Sequence, residues 1–121
     1  MRFLLVSKDQ EVVDVAREGF HPSDDFLHYA HWTQALEHCD GVDLMFVDLV
    51  ATLIVPHKIQ GYADFAQAKM NHPIASRIPL VVIAPEATYD LDYFIGWPNF
   101  VFANLQRPVT YKHLRRASTW V

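Results

Sequence analysis

The chain contains a single cysteine, Cys39. Neither a disulfide framework nor a cysteine-based zinc site can be built from it within one chain. No apolar run approaches the ~20 residues that a membrane-spanning helix needs. The amino terminus lacks the charged, then apolar, then small pattern of a signal peptide, so a reducing, cytoplasmic location is the expectation. Positive charge is not in excess either. The formal net charge of −4 gives no electrostatic reason to expect nucleic acid or an anionic membrane as a partner. The seven histidines show no HExxH or comparable ligand spacing, so His28, His31 and His38 read as solvated or core side chains and no metal is expected. The stretch SKDQEV from Ser7 has no glycine, which argues against the phosphate cradle of a nucleotide- or flavin-binding turn. Internal repeats, low-complexity segments and linkers are missing as well.

What is present fits one domain, residues 1–121, of ordinary globular composition and long enough to bury a real core. The chain is organised around DLMFVDLVA, Asp43 to Ala51. Leu44, Met45, Phe46 and Val47 are too few for a helix and are apolar without alternation, as in a strand buried on both faces of a parallel sheet. Asp48 then falls at the carboxyl end of that strand, where open parallel sheets place their ligand crevice. RFLLV, Arg2 to Val6, and IPLVVIA, Ile78 to Ala84, read the same way. Phe26 to Ala30 and Phe100 to Leu105 complete five strands.

Helical spacing recurs between them. Val12, Val13, Ala16 and Phe20 mark a helix that Ser7 or Asp9 can cap and that Gly19 ends. Ala35, Leu36 and Cys39 face inward on a short helix from Thr33, with Asp40-Gly41 as its stop. Phe65, Ala66 and Met70 share a face of a helix from Tyr62. Tyr89 to Trp97 carries one or two turns, and Tyr111, Leu114, Ala117 or Ser118, and Val121 share one face of the last helix. Lys112, Arg115 and Arg116 form its solvated face. Strands alternating with helices are the signature of a doubly wound α/β sheet. Flavodoxin-like order 2-1-3-4-5 brings the ends of strands one and three together at the switch point, so Asp48 should meet the Ser7-Lys8-Asp9 turn.

At this level of detail the chain resembles the CheY-like receiver domains of bacterial two-component response regulators, over essentially its whole length. RFLLVSKD, MFVD, LVVIAPEA and QRPVTYKHL carry the resemblance, in that order and near the family's spacing. The resemblance implies a phosphoacceptor position at Asp48 and a cis-proline position at Pro108. It also implies an acidic pair for magnesium where Ser7 and Lys8 stand, with Asp9 one position late. Ala84 stands at the switch hydroxyl, Arg107 at the lysine and Asn104 at the aromatic switch. An ammonium at a ligand position repels magnesium and can instead pair with Asp48. Alanine cannot hydrogen-bond a phosphoryl oxygen, and arginine differs from lysine in reach and geometry. After Asp48 the loop is longer than usual, with Val55-Pro56 and Gly61 displaced and Leu53 and Ile54 inserted.

These departures together describe a degenerate receiver, or pseudo-receiver, that is not an enzyme and takes no cofactor. The aromatic segment with Tyr89, Tyr93, Phe94 and Trp97 exceeds what a short helix can hide. In the resembled family the face of the fourth helix, fifth strand and fifth helix is where partners and dimer mates dock. A protein partner or a homodimer is therefore expected there. Two alternatives stand beside this reading: a working phosphoacceptor using Asp48, and a flavodoxin-like small-molecule module.

Overall fold

The computed structural model describes residues 1–49, 60–84, 101–106 and 108–120, with the backbone alone for 60–62 and 106. Five strands, β1 (Arg2–Val6), β2 (Asp25–Tyr29), β3 (Leu44–Asp48), β4 (Leu80–Ala84) and β5 (Ala103–Gln106), form one sheet in the order β2-β1-β3-β4-β5. All four pairings are parallel. The helices described are α1 (Gln10–Gly19), α2 (Trp32–Glu37), α3 (Gln60–Asn71) and α4 (Tyr111–Ala117). A 3-10 turn, Ala75–Arg77, follows α3, and another, Ser118–Trp120, follows α4. The doubly wound sheet and its order are those expected from the apolar runs. The segment from Tyr89 to Trp97 lies outside the described residues.

Why the central strands carry no polar face is visible in how the core divides. Successive side chains of a strand point to opposite faces. Leu4, Val6, Met45, Val47, Leu80 and Val82 pack on one side with Ala35 and Leu36 of α2 and Phe65 and Ala66 of α3. Phe3, Leu5, Leu44, Phe46, Val81 and Ile83 pack on the other with Val12, Val13 and Ala16 of α1 and Leu114 and Ala117 of α4. Both faces are covered, so every residue of β3 and β4 is buried. Phe20 wedges into the second layer, stacked on Phe3 at 4.6 Å and tilted against Phe46 at 5.4 Å.

Two helix expectations change in their physical reason. Gly19 does end α1, but the need for glycine is contact. A Cβ there would lie 2.7 Å from the Tyr111 carbonyl oxygen and 3.1 Å from Leu114 Cβ, so its absence lets α1 and α4 meet. Of the expected inward residues of α3, Phe65 and Ala66 are fully buried, whereas Met70 is 50% exposed and Lys69 takes the inward place at 3%. Lys69 lies one helical turn beyond Phe65 and therefore shares its face. Its Nζ donates to the carbonyls of Ala75 at 2.9 Å and Ile78 at 2.8 Å. These buried carbonyls precede β4; that of Ala75 also accepts the Ile78 N–H at 3.1 Å, and the lysine gives each a donor that a thioether cannot supply.

Candidate functional site

Parallel register does the positioning. Val6 pairs with Val47; one residue further on, Ser7 and Asp48 stand side by side at the carboxyl ends of β1 and β3. Both are buried, Ser7 completely and Asp48 to 1% exposure. Ser7 Oγ lies 3.0 Å from Asp48 Oδ2. Because an ionised carboxylate only accepts, the hydroxyl donates. The same Oγ accepts from the Asp9 backbone N–H at 3.0 Å. Asp9 is the N-cap of α1, its carboxylate accepting from the Glu11 N–H at 3.0 Å. Capping the first turn in this way satisfies an amide the helix itself cannot.

Lys8 is exposed. Asp48 is expected to pair with Lys8 or Arg107; the Lys8 half is corrected, since Ser7 of that turn reaches Asp48 while Lys8 is exposed, and Arg107 lies outside the described residues. Neighbouring residues on an extended chain point opposite ways, and Ser7 continues the β1 ladder by donating its N–H to Tyr29 O at 3.1 Å. Ser7 is buried against Asp48 in the crevice, while Lys8, in the bend that follows, is exposed.

On the other flank of Asp48, Ile83 is its register partner and Ala84, one residue on, is fully buried. Ala84 pairs in register with Gln106. Its methyl brings no hydrogen-bonding group to the crevice. Asn104 is exposed and pairs in register with Val82. Pro108 is exposed, while Arg107, and with it the peptide bond to Pro108, lies outside the described residues. Tyr89, Tyr93, Phe94 and Trp97 lie outside them too. Of the described part of that flank, Phe102 is 56% exposed just before β5 and meets Trp120 edge-on at 6.3 Å. Val101 is partly buried against the core.

Several histidines have structural partners. His21 pairs with Ser23, and His38 stacks on Tyr29 at 5.5 Å. His72 Nδ1 accepts the N–H groups of Ile74 and Ala75, and His113 Nδ1 accepts that of Thr110 in a capping box. Among the described residues no group of three His, Cys, Asp or Glu side chains is arranged to hold a metal ion. His28 joins the crevice in a way the sequence pattern does not reveal: its Nε2 lies 2.8 Å from the Ser7 carbonyl oxygen. The β1–β2 register sets His28 opposite Leu5, not Ser7, so only the reach of the imidazole closes this link.

A five-stranded parallel sheet of this order, with a buried aspartate ending its middle strand, defines the class: a receiver-type, CheY-like fold. Solved structures agree. A two-component response regulator from Legionella pneumophila superposes with a TM-score of 0.72 at 14% identity, over 98% of this chain and 95% of that one. The Mn(2+)-bound form of the response regulator Rcp1 gives 0.69 at 16%, over 98% and 92%. A signal receiver domain from a Clostridium thermocellum histidine kinase gives 0.68 at 12%, over 97% and 93%. No protein-family model matches the chain, and no curated protein does. At these identities the likeness is one of fold.

Proposed function

We propose that this chain is a receiver-like signalling domain of two-component type, working in the bacterial cytoplasm through protein contacts and without phosphorylation. The observation that carries this reading is the Ser7 hydroxyl, 3.0 Å from Asp48, at a position where the resemblance implies an acidic metal ligand. Magnesium requires hard oxygen donors in near-octahedral geometry. Here the oxygen donors are the Asp48 carboxylate, a neutral Ser7 hydroxyl committed to it, and an Asp9 carboxylate engaged in capping α1. With one carboxylate where the ion needs a pair and the other occupied as a cap, that set does not fit the ion. Ala84 removes the hydroxyl that would bind a phosphoryl oxygen, which supports the same reading.

With the crevice inert, signalling passes through surfaces, and the proposed one is the flank of Tyr89, Tyr93, Phe94, Trp97, β5 and α4. The exposed Phe102 beside Trp120 favours it, because large apolar side chains left at a surface mark contact sites. A homodimer or a docked protein is the proposed occupant. No catalytic activity is part of this reading.

The deciding experiment is intact-mass spectrometry after treatment with acetyl phosphate and magnesium, with beryllofluoride in parallel. No adduct is expected. A stoichiometric, magnesium-dependent adduct on Asp48 would instead establish a working phosphoacceptor, the second reading, which the burial of Asp48 at the end of β3 favours.

A further inference from the structure

Every polar group of Ser7 is in use, and each tie runs to a different place. Its N–H donates to Tyr29 O of β2 at 3.1 Å. Its carbonyl faces His28 Nε2, also of β2, at 2.8 Å. A carbonyl has no proton to give, so the imidazole carries its hydrogen on Nε2. The hydroxyl donates to Asp48 of β3 and accepts from the N-cap amide of α1, both at 3.0 Å. One buried serine therefore knots the ends of β1, β2 and β3 to the start of α1.

We infer that Ser7 couples the state of Asp48 to α1 and β2. A hydroxyl that donates to a charged carboxylate is polarised by it, and its oxygen becomes a better acceptor for the Asp9 N–H. Neutralising Asp48 weakens the first bond and, through the shared oxygen, the second. The N-cap of α1 feels the change, and so does the backbone of Ser7 that His28 and Tyr29 hold. Through Ser7 the route leads to α1 and β2. A change in the charge of Asp48 is felt there through the Ser7 hydroxyl.

The inference rests on the hydrogen-bond network alone, so the adduct experiment on Asp48 can come out either way without deciding it. The test is a double-mutant cycle read by nuclear magnetic resonance on the intact chain. Asp48→Asn is expected to shift the backbone amides of Ser7, Asp9 and Glu11 and the His28 Nε2 resonance. In a Ser7→Ala background the same substitution should leave Asp9, Glu11 and His28 unmoved. Equal shifts at these three with and without the hydroxyl would overturn the coupling. Should Ser7→Ala not fold, Ser7→Cys replaces it: the thiol keeps the size but is a weak donor. A marked reduction of the shifts then supports the coupling, and undiminished shifts refute it.

Discussion

Among the described residues two charged side chains, Asp48 and Lys69, are buried at opposite ends of this sheet, and they are held by different means. Asp48 sits where β3 ends; Lys69 sits where β4 is about to begin, at the carboxyl end of α3. Lys69 donates to two backbone carbonyls, Ala75 and Ile78, six and nine residues along the chain. Asp48 is met by a side chain 41 residues away, which is itself tied to β2 and α1. A clamp onto nearby backbone closes one local connection, between α3 and β4. A contact between distant elements carries a change from one to the other. The lysine is therefore read as a stabilising device and the aspartate as the centre of a site, although both are equally hidden from solvent.

The largest expected effect tests the lysine side of this contrast. Lys69→Ala removes a packed aliphatic stem and leaves the Ala75 and Ile78 carbonyls without that donor. Relief of the buried charge offsets part of the loss, so a net destabilisation of about 3 kcal/mol is expected. Urea denaturation followed by circular dichroism measures it. A midpoint indistinguishable from wild type would mean that Lys69 is no clamp, and the comparison would collapse.

A pH titration of stability sharpens the same point. Removal from water lowers the Lys69 pKa to about 8 from an ordinary 10.5. Below the folded value both states keep the proton, and the cost of burying the charge is fully present. Between about 8 and 10.5 the folded protein releases the proton first, the unfolded chain holds more protons, and stability rises with pH. From about pH 7.5 to 9.5 the gain is about 2 kcal/mol. A neutral amine still has two N–H groups for its two carbonyls, so the bonds survive the change. Other groups titrate in this range, and the readout is therefore the difference from Lys69→Met. If the two proteins give parallel curves, the lysine is not desolvated.

At the aspartate end the expected cost is smaller. Ser7→Ala deprives Asp48 Oδ2 and the Asp9 amide of one partner each, and about 1 kcal/mol of stability should be lost. The thermal midpoint should fall while the far-ultraviolet circular dichroism is retained. A loss equal to that of Lys69→Ala would make Ser7 as structural as the lysine and weaken its assignment to a site.

How much of this was legible in the sequence follows from which interactions are local. The sheet was legible because β1, β3 and β4 are short, continuous apolar runs, and because 2-1-3-4-5 order brings Asp48 to the Ser7 turn. The place of Lys69 was not. A lysine on an amphipathic helix reads as solvent-facing, and nothing in Ala75 or Ile78 signals that their carbonyls accept from a side chain. The His28 link was equally hidden, since it depends on side-chain reach across a strand rather than on register.

Lys8 is the instructive miss and supplies the smallest expected effect. Charge alone favours it as the partner of Asp48, and an ammonium beside a carboxylate is the simpler pairing. Chain direction decides otherwise: Ser7 is buried against Asp48, and Lys8, the next residue, is exposed. An exposed ammonium adds little that salt does not screen. Lys8→Ala is therefore expected to show the wild-type denaturation midpoint at low and at high salt, and to leave the Asp9 and Glu11 amide resonances in place. A midpoint that drops at low salt and recovers at high salt would show that Lys8 does act on Asp48. The crevice would then be held by charge rather than by the serine, and the distinction between the two buried ends would rest on the wrong residue.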